Sequence, residues 1–132
     1  MCVFNLTRQS FLSLGVGVLP ARFGRLGRLI GSRRRNWHEG LWLVPCHMIH
    51  TVGRLHPVDV VYLDEQLRVL HVIERLVPYR LAPLRRRTHS VLELPERTVY
   101  WSGTRAGDQL MICPPSGLAE QWARMDGERV AG

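Results

Sequence analysis

The sequence predicts a mainly β protein, and three observations carry that prediction. Two β-rich runs, "VDVVYLD" and "VLHVIE", are separated by the polar "EQLR", which is the pattern of a β-hairpin. Short apolar runs bounded by proline or glycine, "LWLVP" and "VLELP", are typical of buried strands. At 132 residues the chain is long enough for one hydrophobic core.

The N-terminal part of the chain changes its hydrophobic period once. "VFNLTRQSFLSLGVGV" favours a strand, a turn near residues 13–15 and a short second strand. From Pro20, apolar residues at helical spacing alternate with arginines and predict an amphipathic helix near residues 20–31. A polar loop then leads to the strand in "LWLVP".

The C-terminal elements are shorter. Pro95 can open a short helical turn through "ERTVYWSG", with Gly103 as its stop, and "AGDQLMIC" reads as a turn followed by a last strand. In the tail, Leu118, Trp122 and Met125 recur at helical spacing and predict a short helix. We therefore expect a single β-rich domain over residues 1–113 and a tail over residues 114–132.

Composition limits the functions to be considered. All 18 basic residues are arginine, and the formal net charge of +7 favours non-specific attraction of nucleic acid, anionic membranes or acidic partners. Specific nucleic-acid recognition is not expected, since no zinc finger, aromatic RNA-binding motif or helix-turn-helix is recognisable. The two densest clusters are predicted to be solvated, anion-attracting loops: Arg33, Arg34, Arg35, Arg85, Arg86 and Arg87.

Cysteine usage and the N-terminus bear on the compartment. Three cysteines without close spacing predict no disulfide framework and favour a reducing compartment, with a cytoplasmic location as the expectation. The apolar "FLSLGVGVLPA" is broken by glycines and a proline, so we interpret it as part of the fold rather than as a signal peptide. No apolar run reaches the roughly 18 residues that a membrane span requires.

One segment, "CHMIHTVGRLHPVDVVYLDE", concentrates residues that carry chemistry. A shared metal ion is disfavoured, because Cys46 and His50 on a strand lie about 13 Å apart along the chain. No metal and no cofactor are therefore predicted. Asp59 lies among residues that favour burial, so it requires a hydrogen-bonding partner. Two interpretations stay open: Asp59 ties a loop to the sheet, or it joins His50 and Thr51 in a ligand site.

An enzymatic alternative uses the same segment. Cys46, His50 and Asp59 would form a hydrolase-like site as nucleophile, base and orienting residue, if the fold brought them into one pocket. A lone cysteine beside an apolar run is more often a small buried hydrophobic residue. The sequence therefore favours a protein that is not an enzyme.

Ordered motifs resemble an uncharacterised bacterial and archaeal family, domain-of-unknown-function family 192, over residues 4–113. They are "NLTRQ", "RLGRLIGS", "EGLWLVPC", "IHT", "PVDVVYLD", "VPYR", "SVLELP" and "GD". The resemblance implies a compact β-sandwich of jelly-roll type with short helices and supplies no activity. Relatives similar to this chain often accompany secretion and pilus machinery, which implies an envelope-associated partner as an alternative to a purely cytoplasmic protein.

The chain departs from the family pattern at two informative places. Val52 to His56 replace the aromatic or methionine residues that tend to follow "HT", which alters any pocket those residues line in relatives. The hairpin turn "DEQLR" lacks a glycine, so Gln66 or Leu67 must take a backbone conformation that glycine tolerates better. The resulting function hypothesis is a small binding or accessory module for an unknown small ligand or protein partner; non-specific nucleic-acid binding is a further alternative.

Overall fold

The computed structural model describes residues 1–19, 40–46, 56–77 and 86–131, with the side chains of the last helix described as far as residue 127. Among these residues it contains eight strands in two sheets and two helices. The strands are β1 (Cys2–Asn5), β2 (Ser10–Ser13), β3 (Gly17–Leu19), β4 (Leu41–Leu43), β5 (Val58–Leu63), β6 (Val69–Leu76), β7 (Ser90–Pro95) and β8 (Leu110–Cys113). The helices are α1 (Thr98–Ser102) and α2 (Pro115–Ala131).

The smaller sheet has three antiparallel strands in the order β2-β1-β8. Its central strand therefore pairs with the last strand of the chain, so that Cys2 lies opposite Cys113 and Asn5 lies opposite Leu110. This pairing brings the two ends of the described β region together.

The larger sheet has five strands in the order β3-β4-β7-β5-β6. The β3–β4 pair is parallel, and the other neighbours are antiparallel. β5 and β7 occupy the interior of this sheet, and nearly all of their residues are buried. This burial on both faces explains why apolar residues occupy both faces of these strands, with Asp59, Ser90 and Glu93 as buried polar exceptions.

Successive side chains of β5 divide between two hydrophobic clusters, because neighbouring residues of a strand point to opposite faces. Val61 and Leu63 pack with Val3 and Leu110 of the smaller sheet, so the two sheets share this first core. Val60 and Tyr62 belong to a second cluster on the other face of the five-stranded sheet, together with Leu41, Leu43, Cys46, Val58 and Val91.

The mainly β class and most of the predicted elements are confirmed. "LWLVP", the "VDVVYLD" and "VLHVIE" hairpin, "VLELP" and "LMIC" all form strands, and Gly103 ends α1 in a left-handed conformation. The jelly-roll connectivity and the division into a domain and a tail stay predictions. The amphipathic helix near residues 20–31 lies outside the described residues.

The first predicted strand is wrong in one respect, because it is two strands. β1 ends at Asn5, and β2 starts at Ser10 after a four-residue turn. The Asn5 side-chain carbonyl accepts a hydrogen bond from the Arg8 backbone N–H at 2.9 Å, and Gln9 has a φ of 57°. An asparagine that closes a turn in this way stops a strand within an otherwise β-favouring sequence.

The glycine-free hairpin turn between β5 and β6 adopts the predicted conformation. Leu67 has a φ of 63°. Asp64 stabilises the turn, since its Oδ1 accepts hydrogen bonds from the backbone N–H groups of Gln66 and Arg68, both at 2.9 Å. Glycine could take the left-handed conformation at this position without steric strain. With leucine there instead, the hydrogen bonds of the Asp64 side chain stabilise the turn.

Candidate functional site

Asp59 is a fully buried carboxylate at an irregular position of the β5–β6 pair. The register shifts between Val58 and Val60, and Arg75 on the opposite strand has a φ of 57°. Asp59 Oδ1 accepts the Arg75 backbone N–H at 2.9 Å, and Oδ2 accepts the Val99 backbone N–H at 2.9 Å. Both oxygens are therefore occupied by main-chain donors, which is what a buried carboxylate requires.

Helix α1 depends on this carboxylate. A five-residue helix has too few internal hydrogen bonds to persist by itself. Asp59 satisfies an N–H near its start, and the Ser10 hydroxyl donates to the Ser102 carbonyl at 2.6 Å near its end. The Thr104 backbone N–H donates a hydrogen bond to the Val99 carbonyl at 3.2 Å. Side chains from both sheets thus hold α1 in place.

A second buried carboxylate, Asp108, lies in the turn before β8. Its Oδ2 accepts three hydrogen bonds: from Asn5 Nδ2 at 2.9 Å, from Arg8 Nε at 3.1 Å and from the Arg105 backbone N–H at 3.1 Å. Arg8 forms an ion pair with it while its own side chain stays about one third exposed. Asp108 therefore joins the β1–β2 turn to the turn preceding β8.

The pKa of Asp108 reflects two opposing effects. Burial by itself raises the pKa of the carboxyl group, because it disfavours the charged form. The hydrogen bonds from Asn5, Arg8 and Arg105, with the positive charge of Arg8, favour the charged form and leave the pKa below its ordinary value of 3.8. Asp108 is consequently ionised at neutral pH.

Hydroxyl groups connect Asp108 to α1. Asn5 Nδ2 also donates to Thr104 Oγ1 at 3.0 Å, and Thr104 Oγ1 lies 2.7 Å from Ser102 Oγ. All three side chains are buried. A continuous polar network, defined here as the α1 network, therefore runs from Arg8 and Asp108 through Asn5, Thr104 and Ser102 to the helix that Asp59 holds from the other side.

The residues at the middle of α1 point to solvent. Tyr100 and Trp101 are 66% and 76% exposed, and their ring centroids lie 5.3 Å apart at an interplanar angle of 74°. They are the two most exposed of the large hydrophobic side chains described. Arg97 immediately before α1 and Arg105 after it are also exposed. The α1 network thus supports a surface of two aromatic rings flanked by arginines, named here the α1 surface.

The structure places the predicted site residues as follows. Cys46 packs with Val60 and Tyr62 on one face of the five-stranded sheet. The Asp59 carboxylate accepts the backbone N–H of Val99, and the Val99 side chain packs in the core on the other face. Cys46 and Asp59 are therefore not brought together. His50 and Thr51 lie outside the described residues, so the ligand site and the hydrolase-like site that include them stay predictions.

The arginine clusters are described only in part. Arg86 and Arg87 are exposed, and Arg87 has a φ of 66°. Arg33, Arg34, Arg35 and Arg85 lie outside the described residues, so a common anion-attracting surface stays a prediction. Within the described ranges, no three His, Cys, Asp or Glu side chains come close enough to hold a metal ion. Neither described helix has the length and apolar character for a membrane span.

Sequence reasoning missed Asn5, Arg8 and Asp108 as a group. Asn5 and Arg8 occur in "NLTRQ" and Asp108 in "GD", both of which carry the family resemblance. The available signal was a polar asparagine between apolar strand residues, a position that calls for a buried partner. The identity of that partner depends on the β1–β8 pairing and cannot be read locally.

The fold resembles two solved structures. A protein of unknown function from Novosphingobium aromaticivorans matches with a TM-score of 0.64 at 17% identity, covering 84% of this chain and 82% of that one. A protein from Sinorhizobium meliloti, described as a "putative transcription regulator", matches with a TM-score of 0.66 at 20% identity, covering 83% of this chain and 89% of that one. At these identities the likeness shows the fold alone. No curated protein matches the chain.

The fold and the α1 network define a class of small, mainly β proteins with two sheets around a shared core. The model of the DUF192 family, described as Uncharacterized ACR, COG1430, matches residues 27–112. The chain belongs to this family. The matched range includes Asp59, α1 and Asp108 and begins after Asn5 and Arg8, so the "NLTRQ" part of the resemblance rests on the motif itself.

Proposed function

We propose that this protein is a small non-enzymatic binding module and that the α1 surface is its recognition site. One observation carries the proposal. A five-residue helix is anchored by buried polar groups on two sides, yet its Tyr100 side chain is 66% exposed and its Trp101 side chain 76% exposed. Buried polar groups stabilise a fold only when fully hydrogen-bonded. Here they fix the position of two large aromatic side chains that contribute little to the core.

Aromatic side chains held in this way suit protein recognition. Tyrosine, tryptophan and arginine are enriched among the residues that dominate binding energy at protein interfaces. Rings on a rigid backbone lose less conformational entropy on binding than rings on a mobile loop. The edge-to-face packing of Tyr100 and Trp101 presents a wedge rather than one flat stacking platform. We therefore favour a protein partner over a sugar or a nucleobase.

Charge narrows the class of partner. Arg97 and Arg105 flank α1, and the chain has a net charge of +7. A surface that combines an apolar cleft for the rings with surrounding Asp or Glu residues is complementary to this arrangement. An envelope-associated component, the partner implied by the family resemblance, is the form of the proposal that we favour. A small ligand near Asp59 is less supported, because both oxygens of Asp59 already accept main-chain N–H groups.

Photo-crosslinking in the native host tests the proposal. A photoreactive side chain at position 101 is compared with the same side chain at position 14, because Leu14 is also strongly exposed but lies between β2 and β3. We expect a discrete protein adduct from position 101 and its absence from position 14. Tyr100→Ala should weaken the adduct at position 101, while Leu14→Ala should leave it unchanged.

Equal adduct patterns from the two positions would contradict a specific surface. Purified Tyr100→Ala and Trp101→Ala proteins should also unfold within about 0.5 kcal/mol of the wild type, because exposed side chains contribute little to stability. A thermal-shift screen of sugars, nucleotides, metals and peptides separates the alternatives. A shift by a sugar or nucleotide that Trp101→Ala retains would favour another site.

A further inference from the structure

Two of the three cysteines lie opposite each other in the smaller sheet. Cys2 in β1 and Cys113 in β8 are register partners in an antiparallel pair, although 111 positions separate them along the chain. Both are 2% exposed. The Cys2 thiol donates a weak hydrogen bond to the Leu14 carbonyl at 3.3 Å, which it would give up on forming a disulfide.

We propose that Cys2 and Cys113 form a redox-modifiable site that closes as an intramolecular disulfide across β1 and β8. Directly opposed residues of an antiparallel pair have Cα atoms about 4.5 or about 5.5 Å apart, and both spacings lie within the range of about 4.4–6.8 Å found in disulfides. Opposed side chains also project to the same face of the sheet. The Cα separation expected of this register pair is therefore compatible with the bond.

The two thiols lie on the outer face of the smaller sheet. Val3 and Leu110 point into the core shared with the larger sheet, so Cys2, Phe4 and Cys113 point the other way. On this face Trp122 of α2 packs against Phe4 with a ring-centroid distance of 5.1 Å. Helix α2 starts two residues after Cys113 and restricts access to the pair.

The surroundings of Cys113 disfavour its thiolate form. Burial raises the pKa of Cys113, and the neighbouring Cys2 raises it further, while the N-terminal amino group lowers it in part. The attacking species in thiol chemistry is the thiolate, so a raised pKa slows oxidation at neutral pH. Attack by the Cys113 thiol on an oxidant is consequently slow at neutral pH.

A small-molecule disulfide can serve as the oxidant that joins Cys2 to Cys113. One cysteine thiolate attacks oxidised glutathione, forming a mixed disulfide and releasing one glutathione thiolate. The second cysteine thiolate attacks the protein sulfur of the mixed disulfide, forming the Cys2–Cys113 bond and releasing the second glutathione. Two protons leave the protein thiols, which are oxidised, and the glutathione disulfide is reduced to two thiols.

Cys46 supplies an internal comparison. It packs with Val60 and Tyr62 against the face of the larger sheet that lies away from the shared core. The five-stranded sheet therefore separates Cys46 from the Cys2–Cys113 pair. Formation of one specific disulfide out of three possible pairings is a strong test of the proposed geometry.

The experiment exposes the folded, full-length protein to oxidised glutathione at about pH 8, followed by alkylation, digestion without reduction and mass spectrometry. We expect one cross-linked peptide pair that contains Cys2 and Cys113, also in Cys46→Ser. Cys2→Ser and Cys113→Ser should each abolish it. The oxidised wild type should melt at a higher temperature than the reduced form, because the bond restricts the unfolded chain.

Three results would overturn the proposal: a cross-link involving Cys46 in the folded protein, stable glutathione adducts on Cys2 or Cys113 without the internal bond, or three thiols that remain reduced after the oxidant has reached equilibrium. Cys113→Ala and Cys2→Ala provide a second pair of variants if the serine substitutions do not fold. In these variants the melting temperature should not change on addition of a reductant.

Discussion

The Asn5 side chain donates a 2.9 Å hydrogen bond to the Asp108 carboxylate across 103 positions of sequence. The same amide nitrogen donates to Thr104, and the Asn5 carbonyl oxygen accepts from Arg8. Asn5 is fully buried, so none of these groups can turn to water instead. One side chain therefore joins the end of β1 to the turn before β8.

Asn5→Ala should destabilise the protein by about 2 kcal/mol or more, because it removes the buried hydrogen bonds to Asp108 and Thr104 and the acceptor of the Arg8 backbone N–H. Urea-induced unfolding measures the change. Thr7→Ala is the matched control, since Thr7 lies in the same turn and accepts one hydrogen bond, from Gln109, at an exposed position. We expect this control to lose less than about 1 kcal/mol. Equal losses from the two variants would contradict the role given to Asn5.

Asp59→Asn should be destabilising by about 2–3 kcal/mol, because one oxygen that accepts a main-chain N–H becomes an NH₂ group facing another donor. Asp64→Asn is the comparison. Asp64 uses Oδ1 for its two turn contacts, and the asparagine oxygen can retain both. Trypsin should also cut the Asp59→Asn variant at the bonds following Arg97 and Arg105 faster than it cuts the wild type, because α1 is no longer held in place. Unchanged cleavage would show that Asp59 does not anchor α1.

The stability of the protein should fall in acid partly through Asp108. Its folded-state pKa lies below the ordinary value of 3.8, so the unfolded chain takes up a proton more readily. The resulting stability is present above pH about 3.8 and is lost as the pH falls through the folded-state pKa. Urea unfolding across the acid range measures this loss.

Asp108→Asn should therefore be less stable than the wild type at neutral pH, and the difference should narrow as the pH falls through the folded-state pKa of Asp108. Arg8→Met removes a charge that lowers the pKa of Asp108. It should move the acid-induced loss to a higher pH. A difference between Asp108→Asn and wild type that widens towards low pH would contradict this assignment.

Gly40 and Gly107 share a φ of 93°, and their surroundings differ. A Cβ at Gly40 would overlap the Glu93 carbonyl oxygen, whereas nothing lies within 4 Å of a Cβ at Gly107. Gly107→Ala should lose about 1–2 kcal/mol from backbone strain alone. Gly40→Ala should lose more, about 3 kcal/mol or above, since β7 must shift as well. Similar unfolding midpoints for the two variants would contradict the close approach at Gly40.

Cys46 should behave as a buried structural thiol. In the Cys2→Ser/Cys113→Ser variant it is the only remaining cysteine, so its alkylation rate can be followed across pH without interference. We expect slow labelling in the folded state and rapid labelling in urea, as for a thiol packed among apolar side chains. Fast labelling below pH about 7 would instead support the hydrolase-like alternative.

Most local elements could be predicted from the sequence. Alternating and continuous apolar runs predicted β4 to β8, because strand periodicity and burial leave a direct pattern in neighbouring residues. The glycine-free "DEQLR" turn required a left-handed residue, and Leu67 is that residue. The first strand was predicted too long, because the turn at Asn5 depends on a side-chain hydrogen bond rather than on apolar spacing.

Which distant residues meet depends on the folded arrangement of the strands. Strand alternation shows that Asp59 and Val60 point to opposite faces, but the sheet order decides that Cys46 packs beside Val60 and that Asp59 reaches Val99. The pairing of β1 with β8 likewise brings Cys2 to Cys113. Periodicity reports the face that a residue occupies within its own strand, whereas the neighbour across that face is set by strand order, which local sequence does not encode.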